Sequence, residues 1–326
     1  MKNIFALSLI CSTFTWAAAQ AQTTAPNAYP TKPVKIVVGF APGGAADYVA
    51  RTMSDSMGKA LGQPIIVENK AGAGSSIAAE AVSKAAPDGY TILIASPSSI
   101  SVNPALNPKL GYSPKDLLPV TKITSSPLVI AANPNAGIGN LLELVAKAKK
   151  APGTINYATS GNGSAPHLGA ALFAQVTGIE MTHIPFRGGG PAIQSVVAGD
   201  TQLTFGTPPS VLPMIQAGRL KGLGVSTKER SALVPGMPGS IEAGVPDYAI
   251  EFWYGIFVPN GTPPAVIKKI FDSAQMAMSQ PTVKAALARE GTDVDVSKSP
   301  EQFTGFLTED AKFWVKLVKI AGVKLD

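Results

Sequence analysis

The chain has 326 residues, enough for two ordinary domains, and is 45% hydrophobic and 15% charged with a formal net charge of +6. Its one cysteine, Cys11, excludes a fold built on a disulfide framework. The basic residues are scattered rather than clustered, which excludes an extended nucleic-acid or membrane-surface patch.

The N-terminus has the pattern of a secretory signal peptide. Lys2 gives a short basic start, residues 4–19 are uncharged and largely apolar, and Ala19-Gln20-Ala21 has the small-x-small form that signal peptidase cleaves. The alternative is a membrane anchor, but the apolar run is shorter than the roughly 20 residues that a spanning helix needs. We therefore expect a signal peptide over residues 1–21, cleaved after about Ala21, and its removal takes Cys11 with it.

The rest of the sequence alternates short β-branched runs with helical stretches. The first part predicts strands over 34–40, 64–68 and 91–95 and helices over 46–61 and 76–85. After a loop-rich stretch over 96–119, the middle predicts strands over 128–132, 154–158, 181–185, 202–205 and 220–226 and helices over 139–150, 167–176, 191–198 and 209–217. The last part predicts a strand over 253–259 and helices over 264–278 and 301–320.

This alternation predicts an α/β fold with mostly parallel sheets. The alternation of strands and helices is interrupted around 118–126 and again around 234–248. The middle of the chain is therefore interpreted as one α/β unit inserted into another. We predict a discontinuous first lobe, 22–122 plus 246–326, and a second lobe, 123–245. Two lobes joined by two crossings form a hinge and a cleft.

Three strand-to-helix junctions are rich in glycine, over residues 39–47, 160–167 and 185–190. Glycine lets the backbone approach a ligand closely, and the first turn of a helix offers N–H groups that have no acceptor within the helix. Together with the helix dipole, these groups favour an anion. A tight turn alone would explain any single junction. Three of them in one chain favour an anion site between one junction of each lobe.

The sequence supplies little catalytic chemistry. The dinucleotide fingerprint fails because Pro166 stands where its third glycine would be, and neither a P-loop nor a G-x-S-x-G motif is present. His167 lies in the first turn of a predicted helix, where it either donates to an anion or hydrogen-bonds the backbone. His183 lies in a predicted strand, which favours a structural role. We predict no catalytic residue, no metal site and no cofactor, because clustered metal-ligating side chains are missing.

Two charged side chains lie in the junctions. Asp47 follows a predicted helix start, where a carboxylate caps the helix or complements its dipole while its own N–H faces a ligand. Arg187 is interpreted as a cleft-facing counter-ion to a carboxylate, and an exposed loop cation is the alternative.

Motifs along nearly the whole chain carry a family resemblance. They are Phe40-x-Pro42-Gly43-Gly44-x-x-Asp47, Gly62-Gln63-Pro64, Val67-Glu68-Asn69, Gly72-Ala73-Gly74, Pro87-Asp88-Gly89-Tyr90-Thr91, Gly161-x-Gly163-Ser164-x-x-His167, His183-x-Pro185-Phe186-Arg187-Gly188-Gly189 and Trp253-x-Gly255-x-x-x-Pro259-x-Gly261-Thr262-Pro263. In these motifs the sequence resembles the Bug/TctC family, the solute-binding components of tripartite tricarboxylate transporters.

The resemblance implies a type II periplasmic-binding-protein fold, with two α/β lobes around a hinged cleft, and recognition of a carboxylate by backbone groups and waters. The ligand-binding residues that we expect on this basis are Phe40, Gly44, Ala45, Ala46 and Asp47 at one end of the cleft, Ser160, Asn162, Gly163, Ser164 and His167 at the other, and Arg187, Phe205 and Thr207 at the side. Ser96 and Ser98, in a small polar loop after the third strand, are candidates for the distal part of a ligand. Phe186 and Gln202 depart from the family, where tyrosine and an acidic residue are common, and they change the pocket.

These features lead to three functional hypotheses. The first is a monomeric periplasmic receptor that delivers a small carboxylate, a di- or tricarboxylate and either aliphatic or aromatic, to the permease subunits of a membrane transporter. The second is a receptor of the same fold that reports ligand occupancy to a membrane sensor kinase. The third is a secreted hydrolase or isomerase that uses His167, and the missing nucleophile–base pair counts against it.

Overall fold

The computed structural model describes residues 29–107 and 109–321, so the predicted signal peptide and Cys11 lie outside the described residues. The strands are β1 (Val34–Val38), β2 (Ile65–Asn69), β3 (Thr91–Ala95), β4 (Leu117–Pro127), β5 (Val129–Ala132), β6 (Asn156–Thr159), β7 (Thr182–Pro185), β8 (Leu203–Gly206), β9 (Lys221–Val225), β10 (Glu251–Pro259) and β11 (Asp293–Val294). The helices are α1 (Ala45–Leu61), α2 (Ser76–Ser83), α3 (Asn103–Leu106), α4 (Leu141–Lys150), α5 (Ala165–Thr177), α6 (Gly189–Ala198), α7 (Pro208–Gln216), α8 (Pro264–Ser279), α9 (Pro281–Arg289) and α10 (Pro300–Ala321).

The strands form two sheets, which confirms the prediction of a two-lobed α/β fold. One sheet has the order β11-β4-β10-β3-β1-β2, and with α1–α3 and α8–α10 it makes up the first lobe. The other has the order β7-β6-β8-β5-β9, and with α4–α7 it makes up the second lobe. Among residues 29–107 and 109–321, no helix is both long and apolar enough to cross a membrane.

The prediction of mostly parallel sheets is wrong, because both sheets are mixed. β1 pairs in parallel with β2 and β3, and β6 with β7 and β8, so these strands end at the cleft. β5 and β10 are the first strands after the chain has crossed between the sheets, and they pair antiparallel with β8 and β3. They therefore start at the cleft and run away from it.

The two crossings are tied together by a buried serine. Ser226 donates its N–H to the Leu128 carbonyl at 2.9 Å, and its hydroxyl accepts from the Leu128 N–H at 2.7 Å. The same hydroxyl donates to the Ile250 carbonyl at 2.5 Å. The predicted boundary between residues 122 and 123 falls inside β4, whose polar stretch was interpreted as a break in the pattern. We propose a lobe division at Leu128 and Ile250, where the chain passes from one sheet to the other.

The stretch predicted as a loop over 96–119 contains regular structure. A π-helical turn, Ser98–Val102, leads directly into α3, and all five of its residues are buried. α9 and β11 were not predicted either. The short helix α9 begins at Pro281, directly after α8, and β11 has only two residues. These additions extend the first lobe, and the π-helical turn and α3 also face the second lobe at Gly163.

Candidate functional site

Four helices begin at one cavity between the lobes. α1 belongs to the first lobe, and α5, α6 and α7 belong to the second. Residues of their first turns line a cavity of about 450 Å³, a volume that includes its solvent-facing mouth. The starts of α1 and α6 meet most closely, because a Cβ placed on Gly44 would lie 3.5 Å from the Gly189 nitrogen. The positive ends of these helix dipoles therefore converge on the same space.

The four helix starts differ in the N–H groups that they offer. Gly44 and Gly188 precede α1 and α6, and neither supplies a side-chain cap, so first-turn N–H groups of both helices keep no acceptor within the helix. In α5, the Ser164 hydroxyl accepts the His167 N–H at 3.4 Å, and the second residue is Pro166. α7 begins with two prolines. The capacity to bind an anion through the backbone is therefore concentrated on α1 and α6, at the N–H groups of Ala45, Gly189 and Gly190, since the Tyr254 hydroxyl accepts the Ala46 N–H and Pro191 has none.

The hydroxyl of Ser210 lies beside the start of α6 and adds a side-chain donor to the N–H groups of α1 and α6. It lies 3.4 Å from the Thr207 hydroxyl, and a Cβ placed on Gly189 would be 2.6 Å from its oxygen. Both serine and threonine are buried. The start of α7 thus contributes hydroxyl donors where its prolines remove N–H groups.

Asp47 holds the loop before α1 in place. Its Oδ2 accepts the Gly43 N–H at 3.0 Å, its Oδ1 accepts from Arg51 at 2.9 Å and from Asn69 at 3.0 Å, and Asn69 also donates to the Phe40 carbonyl at 3.0 Å. Burial alone would raise the pKa of the Asp47 carboxyl, but the hydrogen bonds from Arg51, Gly43 and Asn69 together lower it below its ordinary value. The Asp47 side chain thus shapes the loop and does not line the cavity.

We expect Asp47→Ala to lower the free energy of unfolding by about 1–3 kcal/mol, because it removes the carboxylate that accepts hydrogen bonds from Gly43, Arg51 and Asn69. Since the folded-state pKa of Asp47 is depressed, this contribution is present above the ordinary carboxyl pKa and is lost as the pH falls through the lowered value. Urea denaturation at neutral pH measures the loss. Asp55→Ala on the same helix, which breaks only the exposed Asp55–Lys59 ion pair, is the control and should cost less than about 0.5 kcal/mol. Equal losses of unfolding free energy in the two variants would show that Asp47 does not stabilise the loop before α1.

A pair of stacked histidines shapes the loop before α5. The Gly163 N–H donates to Nδ1 of His167 at 3.1 Å, and the His167 ring stacks on His183 at 3.8 Å between centroids. Burial, followed by the neighbouring His183, lowers the pKa of His167 to about 3, so its imidazole is neutral and able to accept. His183 Nε2 in turn lies 2.6 Å from the Thr159 hydroxyl. By accepting the Gly163 N–H, His167 therefore holds the loop before α5 in place.

The lobes contact each other directly through backbone. The Ala41 N–H of the first lobe donates to the Arg187 carbonyl of the second at 3.1 Å. Glycines make this approach possible, since a Cβ on Gly188 would lie 2.8 Å from the Ala41 nitrogen and one on Gly74 would lie 2.4 Å from the Asn162 carbonyl oxygen. The Arg187 side chain is exposed, so the residue meets the opposite lobe with its carbonyl.

The structure brings part of the predicted set to the cavity. Six of the fifteen predicted residues line it: Phe40, Gly44, Ala45, Ala46, Ser160 and Thr207. The others lie behind the wall or beside it: Asp47, Ser96, Ser98, Asn162, Gly163, Ser164, His167, Arg187 and Phe205. Ser96 and Ser98 are fully buried in the first lobe, and Phe205 packs against Phe173 and Tyr248 in the second.

The part of the cavity wall that α6, α7 and β10 supply is not predicted from the sequence. The missed lining residues that matter most are Gly189, Ala192, Ile193, Ser210, Phe252 and Tyr254. The glycine run over 185–190 was a usable signal for α6. Phe252 and Tyr254 alternate with Trp253 along β10, so these two side chains and Trp253 point to opposite faces of the sheet. The sequence pattern alone does not show which of the two faces lies at the cleft. Within the described part of the chain, no group of three or more His, Cys, Asp or Glu side chains is placed to hold a metal ion.

Comparisons with known proteins agree with this geometry. Residues 49–323 match the family model described as the tripartite tricarboxylate transporter family receptor. The chain is 33% identical to Protein BugT of Bordetella pertussis over 325 residues, which cover 99% of each protein. It superposes on the periplasmic binding protein BugD with a TM-score of 0.86 at 31% identity, covering 91% of this chain and 99% of the other. MatC from Rhodopseudomonas palustris with bound malate gives a TM-score of 0.84 at 32% identity, covering 89% and 100%.

Proposed function

The chain belongs to the tripartite tricarboxylate transporter receptor family, and from this premise we propose that it is a periplasmic solute-binding protein. In this proposal it captures a small carboxylate between its lobes and delivers it to the membrane subunits of such a transporter. The predicted signal peptide and the similarity to a periplasmic binding protein support the location. A relative that was solved with bound malate supports the class of ligand.

One observation carries the proposal most directly: uncapped helix starts from opposite lobes face each other across the cavity. A carboxylate in the cavity beside Gly44 and Gly189 accepts N–H groups of both helices and lies at both positive dipole ends. Hydrogen bonds to a charged group contribute about 1.5–3 kcal/mol each. A ligand that bridges the two starts therefore stabilises the arrangement in which the lobes touch.

Capture then follows from a shift in population between separated and touching lobes. The ligand contacts both helix starts only when the lobes meet, so it favours that arrangement by the free energy of the additional contacts. The backbone bond from Ala41 to Arg187 forms in the same movement because its two partners belong to different lobes. The touching arrangement is the form that we propose the membrane subunits recognise.

A thermal-shift panel on the protein without residues 1–21 tests the proposal. A carboxylate at 100 times its Kd should add about 2.7 kcal/mol of stability and raise Tm by roughly 4 °C. The panel holds aliphatic and aromatic mono-, di- and tricarboxylates, with inorganic phosphate and neutral sugars as comparison ligands. A shift with phosphate or sugars but with no carboxylate would refute the proposal.

A proline at the start of α1 tests the backbone contact itself. Ala45→Pro removes the first N–H of α1, and the helix tolerates it because Gly44 has φ −88° and ψ 171°, a conformation allowed before proline. We expect calorimetric affinity for any carboxylate found by the panel to fall at least tenfold, while the control Ala45→Gly, which keeps the N–H, changes it by less than about threefold. Equal affinities of Ala45→Pro and Ala45→Gly would show that α1 does not bind the anion.

A further inference from the structure

We propose that the hydroxyl pair of Thr207 and Ser210 recognises an oxygen on the carbon next to the bound carboxylate, so that the ligand is a 2-hydroxy or 2-oxo acid. This inference rests on the proposed function, because it specifies which carboxylates the same cavity prefers. It adds two specificity-determining side chains to the backbone groups that hold the anion, and it does not depend on how many carboxylates the ligand carries.

The fold of α7 does not use these two hydroxyls. Thr207 directly precedes the helix, where a threonine commonly accepts an N–H of the first turn, yet its side chain makes no such bond. Pro208 and Pro209 have no N–H, and the Ser210 N–H donates to the Thr207 carbonyl at 3.0 Å instead. Helix capping therefore does not account for a hydroxyl at either position.

The two hydroxyls are buried at the cavity and pair only with each other. Thr207 is 6% exposed and Ser210 is 8% exposed, both residues line the cavity, and their hydroxyl oxygens lie 3.4 Å apart. Within the described part of the chain, neither hydroxyl has a further protein partner. One O–H of such a pair donates to the other, so the second O–H still lacks an acceptor, which is unfavourable for a buried group. A ligand oxygen at this point supplies that acceptor.

The hydroxyl pair lies beside the N–H groups that bind the anion. A Cβ placed on Gly189 would lie 2.6 Å from the Ser210 hydroxyl oxygen and 3.9 Å from the Gly44 Cα, so the pair adjoins the starts of α6 and α1. The first lobe also meets α7 here, since a Cβ on Gly291 would lie 2.6 Å from the Cβ of Pro208. An oxygen on the carbon next to the carboxylate is the ligand group that lies closest to this point.

The other hydroxyls of the cavity wall are engaged by protein groups or lie on a different element. Those of Thr159, Thr204 and Tyr254 already pair with protein atoms. Among the described residues that line the cavity, Ser160 carries the one further hydroxyl that no protein group engages. Ser160 follows β6 and precedes α5, away from the starts of α6 and α7, so the experiment tests it separately.

Pairs of acids that differ by one oxygen test the inference on the protein without residues 1–21. The pairs are lactate and propionate, malate and succinate, 2-hydroxyglutarate and glutarate, and mandelate and phenylacetate, with the enantiomers of each hydroxy acid measured separately by isothermal titration calorimetry at pH 7. In each pair that binds, we expect one enantiomer of the hydroxy acid to bind about tenfold more tightly or better, because its partner leaves the hydroxyl pair without an acceptor.

Variants of the hydroxyl pair assign the preference to these side chains. Ser210→Ala and Thr207→Val should each reduce the ratio of the two Kd values in the best pair to less than about threefold, whereas Thr207→Ser keeps a hydroxyl and should retain the preference. Ser195→Ala is the matched control. It removes one hydroxyl from a second buried pair of the same lobe, Ser195 and Thr201 at 3.1 Å, and should leave the ratio unchanged.

The outcomes separate this inference from the proposed function. Equal affinities within every pair, or binding only of carboxylates that have no oxygen next to the carboxylate, would overturn the inference and leave a carboxylate receptor standing. A preference that survives in both Ser210→Ala and Thr207→Val would also overturn it, and loss of that preference in Ser160→Ala would then place the oxygen at the end of β6. If neither these pairs nor the wider carboxylate panel binds, the proposed function fails together with the inference.

Discussion

Gly163→Ala is expected to weaken ligand binding about 100-fold while lowering the free energy of unfolding by only about 1–2 kcal/mol. Gly163 has φ +68°, and a Cβ there would lie 2.3 Å from Oδ1 of Asn103 and 3.4 Å from Val102, both of which belong to the first lobe. The clash exists only while the lobes touch, so it penalises the ligand-bound arrangement. A penalty of about 2.7 kcal/mol corresponds to the 100-fold loss.

Asn103 cannot move aside to relieve this clash. It is fully buried, and its amide donates to the Ala73 carbonyl at 3.1 Å, the Gly74 carbonyl at 2.9 Å and the Ser76 hydroxyl at 2.7 Å. These bonds hold a left-handed turn in which Ala73 and Ser75 also have positive φ, at 46° and 76°. The residue that meets Gly163 is therefore part of a rigid, strained surface of the first lobe.

Gly178→Ala is the matched control for this substitution. Gly178 lies in the same lobe and has φ +64°, and a Cβ there meets nothing within 4 Å. Both variants place alanine in the left-handed region, which costs about 1–2 kcal/mol, so their urea denaturation curves should agree. Calorimetry with the same carboxylate should separate them, with Gly178→Ala binding like wild type. Wild-type affinity in Gly163→Ala would mean that the ligand is bound without the contact between Gly163 and Asn103.

The contrast between β3 and β4 shows which parts of the fold the sequence predicts. The run Thr91–Ala95 is nearly all apolar and is predicted correctly, since a strand buried on both faces needs no alternation. β4 mixes lysine, threonine and serine with apolar residues, and its pairing with β10 gives it structure that its own pattern does not show. The direction of a strand within its sheet also depends on distant parts of the chain. β5 and β10 pair antiparallel with β8 and β3 because the chain crosses between the sheets just before each of them.

The candidate site also has a part that the sequence predicts and a part that it does not. Ala45 and Ala46 were predicted because a glycine-rich junction before a helix is a local signal with a physical meaning. The glycine-rich junction over 185–190 signals the start of α6, but its position opposite the start of α1 arises only when the lobes touch and is not a local property of the sequence. The role of His167 depends on Gly163, four residues earlier, and on stacking against His183 from another strand. The sequence left open whether His167 donates to an anion or hydrogen-bonds the backbone, and the structure shows its Nδ1 accepting the Gly163 N–H.

Asp310 is expected to make stability fall with rising pH by up to about 3 kcal/mol between about pH 4 and pH 6. Burial raises the pKa of its carboxyl to about 6, although hydrogen bonds from Trp253 and Trp314 and the nearby Lys122 oppose this effect. The folded state therefore holds the proton more tightly than the unfolded state, so the contribution is largest below the ordinary carboxyl pKa and is lost as the pH rises through the folded value.

Urea denaturation at several pH values between 4 and 7 measures this step. Asp310→Asn should remove it, so the difference in unfolding free energy between wild type and variant should change across the window. Glu309→Gln, on the exposed side of the same helix, is the control for removing a carboxylate from α10. A difference between wild type and Asp310→Asn that does not vary with pH would contradict the assignment.

Tryptophan fluorescence gives a second and independent measurement of the same titration. The sequence has three tryptophans, and Trp16 lies in the predicted signal peptide. The other two donate their indole N–H groups to Asp310, Trp253 at 2.9 Å and Trp314 at 3.0 Å. The emission of the protein without residues 1–21 should therefore change with a midpoint near pH 6, and Asp310→Asn should abolish the change.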